Sequence, residues 1–321
     1  MEDYLTKIQK SRDIRQTSLN LYKSYMNKLN KEFNGDNDFS MGFVKDKITA
    51  ITDWIEKTHS NSVARNFYAS LLVFLSPKAK NSPIDGYETI YEDIQTRLKK
   101  FHQVYIDKRK DNNKTSREDK NWIDFEDIEK KLMKIEKIVK NTQYDAKLTK
   151  QEYNNLMEYV ILSLYTLLPP RRNEYGDMII ISDKEYQDSS IDDMENNNYL
   201  VKGKKNYVFS YGKNAVKSSK DADSQIIDVP QNLTRVLKLW LNHNHTNYLL
   251  PKFNEDKPIS KNGLTVMLNK IFSPKKISTS MLRKIYLSHK FGAIQKEQKE
   301  LARQMNHSVA VQQSIYVKND D

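Results

Sequence analysis

The stretch Asn306–Tyr316, NHSVAVQQSIY, is the most distinctive part of the sequence. A helical pattern ends near Asn306, and His307-Ser308 opens the next helical turn. His307 precedes Tyr316 by nine residues. This stretch is one of three clusters in the sequence that could carry chemistry.

Two further clusters lie upstream of this stretch. Arg171 and Glu174 stand three residues apart in LLPPRRNEY, residues 167–175, directly after a pattern typical of a buried helix. Ser280 and Arg283 are also three apart, in STSMLRK, residues 278–284, and therefore project from one face of a helix. Taken alone, the first cluster fits a salt bridge at a helix end and the second an ordinary amphipathic helix. Only the combination points to a function.

The composition limits the functional classes. The chain has 321 residues, with 53 Lys and Arg against 42 Asp and Glu, and a formal charge of +11. This excess favours a polyanionic partner such as nucleic acid, although solubility explains it equally well. The absence of cysteine excludes a disulfide scaffold, a thiolate zinc site, an iron–sulfur cluster and a cysteine nucleophile. The longest apolar run, Tyr159–Leu168, is about half a membrane span, which predicts a soluble intracellular protein.

Common cofactor and metal motifs are missing. The sequence has no GxGxxG, no phosphate-binding GK[ST] loop and no HExxH. The close pair His243 and His245 fits a surface loop better than a metal site. The acidic run Asp192, Asp193 and Glu195 fits a solvated turn better than a magnesium site. We therefore predict no cofactor and no metal.

The first third of the chain is predicted to be helical, with four amphipathic helices forming a domain over residues 1–107. A wholly polar stretch, KRKDNNKTSREDK, follows at 108–120 and indicates an exposed linker. A second domain then covers 121–321. The four predicted apolar stripes are Leu19/Tyr22/Met26/Leu29/Phe33, Val44/Ile48/Ile51/Ile55, Val63/Phe67/Leu71/Phe74 and Ile90/Ile94/Leu98/Phe101/Tyr105.

The second part also begins with helices, including one opened by a Thr149–Glu152 capping box. Short β-like runs then replace the helical pattern, and helices return after Pro230. The predicted strands are Met178–Ile181, Tyr199–Val201, Tyr207–Tyr211 and Gln225–Val229. The predicted later helices are 231–242, 260–272, 279–291 and 293–305, with a last turn at 308–316. The fold class is therefore mainly α with a small antiparallel β-sheet.

In this order, the three clusters resemble the boxes of the tyrosine recombinase (phage integrase) superfamily. That family has Arg-x-x-Glu, then His-x-x-Arg followed by His or Lys, and then His or Trp nine residues before a nucleophilic tyrosine. The third box is the most specific, because NHSVAVQQSIY is similar to the family's "GHSS…T..Y" along its whole length. This sequence supplies Arg171-x-x-Glu174, Ser280-Met-Leu-Arg283-Lys284, and His307 followed by Tyr316.

The resemblance covers about residues 121–321 and implies a tyrosine-recombinase catalytic domain. The helical first part matches the family's DNA-clamping core-binding domain in size and position only. The phrase Pro-Pro-Arg-Arg-x-Glu-Tyr is similar to recombinases of large eukaryotic viruses and their parasites. It suggests a virus or mobile-element integrase involved in viral genome integration.

The family also carries a lysine on a β-hairpin between the first two boxes. The candidates here are Lys213, Lys217 and Lys220, and Lys217-Ser-Ser-Lys220 best resembles the family's Lys-Thr-x-Lys phrase. We therefore assign Lys217, with the other two as alternatives. The sequence departs from the family at Ser280, where histidine is usual, because serine cannot act as an acid or base near neutral pH. Only five residues follow Tyr316, which leaves open how protomers interlock.

The resemblance implies metal-independent phosphoryl transfer. Arg171 and Arg283 would bind the non-bridging phosphate oxygens in place of metal ions, and His307 would add a hydrogen bond. Tyr316 would attack the phosphorus and form a 3′-phosphotyrosyl link, while Lys217 protonates the departing 5′ oxygen. A 5′ hydroxyl from another strand could then displace the tyrosine without ATP.

The implied partners are double-stranded DNA and further copies of the chain, as a dimer on one site and a tetramer in synapsis. The protein would act at DNA, whether in a nucleus, a viral factory or the cytoplasm. Two alternatives stay open. One is a recombinase fold with weakened catalysis that acts as a DNA-binding protein. The other is a related strand-passing enzyme, either a type IB-like topoisomerase or a hairpin telomere resolvase.

Overall fold

The structure is a computed structural model, and it describes residues 1–110, 113–145, 147–216 and 224–316. The described chain is mainly helical and contains a four-stranded mixed sheet. The predicted fold class is thereby confirmed in its coarse form. The chain divides into two compact units, Met1–Asn113 and Lys114–Asp321.

The first unit is helical. Its helices are α1 (Glu2–Ser11), α2 (Gln16–Asn34), α3 (Gly42–Thr58), α4 (Asn61–Leu75) and α5 (Glu88–Lys110). Helix α4 packs against α2 and α5, and the predicted stripe residues Phe67, Leu71 and Phe74 are fully buried. Helix α1 was not predicted, and its buried residues are Leu5 and Ile8. Two apolar positions are too few to establish a helical period.

The polar stretch predicted as a linker is partly helical. Helix α6 (Ser116–Asn121) forms within it, opened by a capping box between Thr115 and Glu118. The Glu118 side chain also forms an ion pair with Lys284, far along the sequence. The boundary between the two compact units, at Asn113/Lys114, falls within this stretch, but composition does not show that Glu118 pairs with a distant part of the chain.

The second unit surrounds a small sheet. Helices α7 (Phe125–Asn141) and α8 (Lys150–Thr166) and a 3-10 turn (Glu174–Asp177) precede strands β1 (Ile179–Ser182), β2 (Asn198–Lys202), β3 (Tyr207–Tyr211) and β4 (Gln225–Asp228). The strand order is β1-β2-β3-β4, and the pairs β2–β3 and β3–β4 are antiparallel, as predicted.

Strand β1, however, pairs with β2 in parallel, so the prediction of a wholly antiparallel sheet is wrong. Two short helices, α9 (Asp183–Gln187) and α10 (Ile191–Asn196), occupy the connection between these strands. A crossover of this kind lets the chain re-enter the sheet in the same direction. Helix α10 also replaces part of the predicted acidic turn, because the Ser190 side chain caps its first turn by accepting from Asp193 N at 3.1 Å.

The remaining helices complete the core of the second unit. They are α11 (Gln231–Leu241), α12 (Ser260–Ile271), α13 (Thr279–Gln304) and α14 (Val309–Val311), followed by a π-helical turn (Gln312–Tyr316). Helix α13 is continuous, whereas two helices separated at Gly292 were predicted. Glycine inside a helix costs about 1 kcal/mol relative to alanine, which lowers helix stability without forcing a break.

Candidate active site

The second unit brings three arginines and one buried carboxylate, from two distant segments of the chain, into the same neighbourhood. Arg171 and Arg172 follow helix α8, Glu174 begins the 3-10 turn, and Arg283 lies near the start of α13. Burial lowers the pKa of Arg283; Arg172 and Arg171 lower it further by charge repulsion, and Glu174 opposes them. Arg172, Glu174 and Arg171 are therefore all within electrostatic range of Arg283. Three cations and one anion leave a net charge of about +2, which suits a bound anion.

Arg171 is held by the sheet. Its Nη1 donates a hydrogen bond to Gln225 Oε1 at 2.8 Å, at the start of β4. Its Cζ lies 3.8 Å from the ring centroid of Tyr211, a buried residue of β3. A guanidinium stacked on an aromatic face and fixed by an amide keeps a defined orientation. Tyr211 and Gln225 were not predicted as site residues, because neither belongs to a recognisable motif.

Asn173 joins the two arginine-bearing segments. Its Nδ2 donates to Thr265 Oγ1 of α12 at 3.3 Å, and its Oδ1 accepts from Thr279 Oγ1 of α13 at 2.6 Å. Close by, a Cβ on Gly176 would lie 2.5 Å from the carbonyl oxygen of Ser260, so only glycine lets the 3-10 turn pack against α12. These contacts place the Arg171 segment beside the first turn of α13.

An Asn173→Ala substitution should lower the free energy of unfolding by about 1–3 kcal/mol, because it removes both partners of the two threonine hydroxyls. Asn173→Asp should cost less, since its carboxylate can accept from both hydroxyls. Urea denaturation of the full chain measures the difference. The matched control is Asn262→Ala, at an exposed position of α12. Equal stability of Asn173→Ala and the control would contradict this account.

The start of α13 presents the residues of the second cluster as predicted. Leu282 and Ile285 are buried, whereas Ser280 is exposed and Arg283 is half-buried. The neighbouring Lys284 pairs with Glu118, and this contact, together with hydrogen bonds from Thr115, lowers the pKa of Glu118 to about 2. Helix α6 thus fixes the beginning of α13 from outside the cluster.

Replacing Glu118 with glutamine should lower the free energy of unfolding by about 1 kcal/mol near pH 7. A carboxyl with a depressed pKa stabilises the fold above its unfolded value, here 4.5, and loses that contribution as the pH falls toward about 2. The gap between wild type and variant should therefore shrink over this range. Urea unfolding at pH 7 and pH 3 tests this, with exposed Glu129→Gln as control. A gap of the same size at both pH values would contradict the ion-pair account.

Of the three lysine candidates, Lys213 lies within the described residues. Lys213 forms an ion pair with Glu195 at 2.5 Å, and its backbone nitrogen donates to Ser224 Oγ at 3.2 Å. It follows by two residues Tyr211, the last residue of β3 and the ring on which Arg171 stacks. Lys217, the assigned residue, and Lys220 lie outside the described residues.

His307 and Tyr316 form a stacked pair at the far end of α13. Their ring centroids are 5.2 Å apart with 21° between the planes, and Tyr316 is 58% exposed. The His307 backbone nitrogen donates to Ala302 O at 3.0 Å, which folds this segment back onto the helix end. Both ring nitrogens of His307 are buried without a hydrogen-bond partner in the described chain.

The structure thus places the segment of Arg171 beside the helix start that carries Arg283, and it places His307 next to Tyr316, but these two groups of residues lie at opposite ends of α13. Helix α13 runs unbroken from Arg283 to its end at Gln304, a distance of about 30 Å along its axis. Within the described residues, no hydrogen bond, ion pair or ring contact joins one group to the other. The predicted site is present as two separate halves.

No protein-family model, curated protein or solved structure matches the chain. No helix in the described ranges combines the length and apolar character that a bilayer crossing requires. Across the same ranges, no group of three or more His, Asp or Glu side chains comes together as a metal site.

Proposed function

We propose that the chain is a DNA strand transferase of the tyrosine recombinase type, which cuts and rejoins DNA through a 3′-phosphotyrosyl intermediate. The observation that carries this proposal is the hydrogen bond from Thr279 Oγ1 to Asn173 Oδ1 at 2.6 Å, which joins the segment of Arg171, Arg172 and Glu174 to the helix start that carries Arg283. These residues come from two segments more than a hundred positions apart, and the fold places them together. A net charge of about +2 suits the transition state of phosphoryl transfer, whose charge spreads over the non-bridging oxygens.

In the cleavage step, the Tyr316 phenol loses its proton to solvent and its oxygen attacks the phosphorus. A bond forms between this oxygen and phosphorus, and the bond from phosphorus to the 5′ oxygen breaks. The 5′ oxygen takes a proton, for which Lys217 is the predicted donor. Arg171 and Arg283 bind the non-bridging oxygens through paired hydrogen bonds. Because the new ester stores the energy of the original bond, a 5′ hydroxyl can reverse the step on another strand.

Arg172 adds a cation that the sequence analysis did not assign. Its side chain is exposed, and its charge helps to lower the pKa of the neighbouring Arg283. In the proposed site it would contact the DNA backbone beside the scissile phosphate. A third cation at this point strengthens binding without base specificity.

The first unit would serve as the DNA-clamping domain and the second as the catalytic domain. The excess of 53 basic over 42 acidic residues supports backbone binding to double-stranded DNA. The chain would act as a homo-multimer on DNA, as an integrase or a related recombinase of a virus or mobile element. Its work would take place in a nucleus, a viral factory or the cytoplasm.

The test needs a target site, which can be recovered from a random duplex pool by repeated binding to the full chain. The selected duplex is then nicked close to the cleaved phosphate, so that a short 5′-hydroxyl fragment diffuses away after cleavage. Wild-type protein should leave a covalent protein–DNA adduct on a denaturing gel. Peptide mapping should place the DNA on Tyr316. Absence of any adduct on selected sites would overturn the proposal.

A second candidate is a DNA-binding protein with weakened catalysis. It is favoured by the exposed Ser280, which cannot shuttle protons, and by the separation of Tyr316 from the arginines. Site-specific footprints without an adduct would support it. Relaxation of supercoiled plasmid without recombinant products would instead indicate a topoisomerase-like outcome of the same chemistry.

A further inference from the structure

The outer half of helix α13 carries an unpartnered apolar stripe. Its members are 42–58% exposed, which is unusual for large apolar side chains grouped on one face. Their spacing alternates between four and three residues, with Gln298 at the one polar position, and this alternation is typical of a seam between two helices. The stripe consists of Leu287, Phe291, Ile294, Leu301 and Met305.

The stripe begins where α13 leaves the body of the second unit. His289 is the last side chain of α13 tied to that body, through stacking on Phe125 at 4.9 Å and an ion pair with Glu126 at 3.2 Å. Beyond it, the described side chains of α13 are exposed or half-exposed, apart from Ala302 under the His307 turn. The stripe therefore has no cover within the described part of its own chain.

The stripe is complementary to itself in the antiparallel direction. If two copies cross near residue 296, Leu287 faces Met305 of the second copy, Phe291 faces Leu301, and Ile294 faces Gln298. The same register places Arg283 opposite the turn that follows His307 in the second copy. Helices packed in this way lie about 8–10 Å apart, within reach of Arg and Tyr side chains. A parallel pairing would instead place Arg283 beside Arg283 and Tyr316 beside Tyr316 of the second copy. The arginines and the tyrosine would then remain apart.

We propose that a second copy of this chain covers the stripe in this antiparallel arrangement. Each copy then supplies its His307–Tyr316 pair to the Arg171–Arg283 cluster of the other. This inference rests on the proposed function, and it names the partner that completes the site. A two-fold dimer of this kind contains two composite sites, neither of which forms within one chain.

Mixing two inactive variants tests the inference. Arg283→Ala keeps the phenol but loses a guanidinium, whereas Tyr316→Phe keeps the arginines but loses the nucleophile. Half of randomly formed dimers contain one copy of each, and every such dimer has one intact composite site. The mixture should therefore form about one quarter of the wild-type adduct, carried by the Arg283→Ala chain, which a size tag identifies.

The outcomes separate the two proposals. If wild type forms adduct and the mixture forms none, each chain builds its own site and the inference is overturned, while the proposed function stands. If wild type forms no adduct, the proposed function fails first. Adduct on the Tyr316→Phe chain would mean that another residue is the nucleophile and would overturn both.

The stripe itself is tested by Ile294→Asp, which places a carboxylate in the middle of the seam. We expect this variant to sediment as a monomer and to lose at least tenfold in adduct yield. Lys296→Asp places the same group on the opposite, exposed face of α13 and should keep the wild-type dimer. Circular dichroism checks that both variants fold. A wild type that sediments as a monomer on its selected duplex, or an Ile294→Asp variant that still pairs, would overturn the antiparallel arrangement.

Discussion

Replacing Tyr316 with phenylalanine is expected to abolish the covalent protein–DNA adduct, with a loss of at least about a thousandfold. Phenylalanine keeps the ring that stacks on His307 at 5.2 Å but has no oxygen to attack phosphorus. Since the side chain is 58% exposed, the change should leave folding stability nearly unaffected. The measurement is adduct yield on the nicked duplex, with binding affinity followed in parallel.

A suitable control is Tyr286→Phe, which removes a phenol oxygen from helix α13. Tyr286 packs against Phe125 at 5.6 Å and belongs to the framework of the second unit. This variant should form adduct at the wild-type level. Adduct that persists in Tyr316→Phe, or that disappears in Tyr286→Phe, would remove Tyr316 as the proposed nucleophile.

Replacing Arg283 with alanine is expected to reduce the cleavage rate by about a thousandfold, equivalent to about 4 kcal/mol of transition-state stabilisation. The half-buried guanidinium lies within electrostatic range of Arg171, Arg172 and Glu174, so its loss removes one of three cations around the proposed phosphate position. Duplex affinity should fall less than tenfold, because many other basic residues share backbone binding. Single-turnover cleavage and equilibrium binding separate the two effects.

Two variants make this result specific. Arg283→Lys keeps the charge but loses the paired hydrogen bonds, so an intermediate rate is expected. Arg235→Ala removes an exposed cation of α11 in the same unit and should cleave normally. If Arg283→Ala lost most of its duplex affinity while prebound complexes still cleaved at the normal rate, Arg283 would be a binding residue rather than a catalytic one.

Periodicity in the sequence predicted most of the fold because helices and strands leave local patterns. The buried Phe67, Leu71 and Phe74 lie on one predicted stripe, and strand β3 has the predicted bounds Tyr207–Tyr211. The direction of β1 was not predictable in the same way, since parallel pairing depends on the path of a crossover rather than on the strand's own residues. The continuity of α13 through Gly292 depended on a small energy difference.

For the site, sequence spacing identified the residues but not their surroundings. Ser280 and Arg283 on one face of a helix could be predicted from their separation alone. The contacts that hold the cluster join residues far apart in the sequence, as with Asn173 and Thr279 or Arg171 and Tyr211. No local pattern marks such pairs. The sequence also did not show whether Tyr316 contacts the arginines within one copy, because this depends on whether α13 continues without a break.

Under the proposed function, the unbroken length of α13 would limit accidental DNA cleavage. If the proposed function and dimer hold, a single copy on DNA would bind the backbone with its arginines while its own nucleophile lies beyond the far end of α13. It could occupy the strand without nicking it. Breakage would then require an encounter between two copies, so accidental damage would decline steeply as the protein becomes scarce.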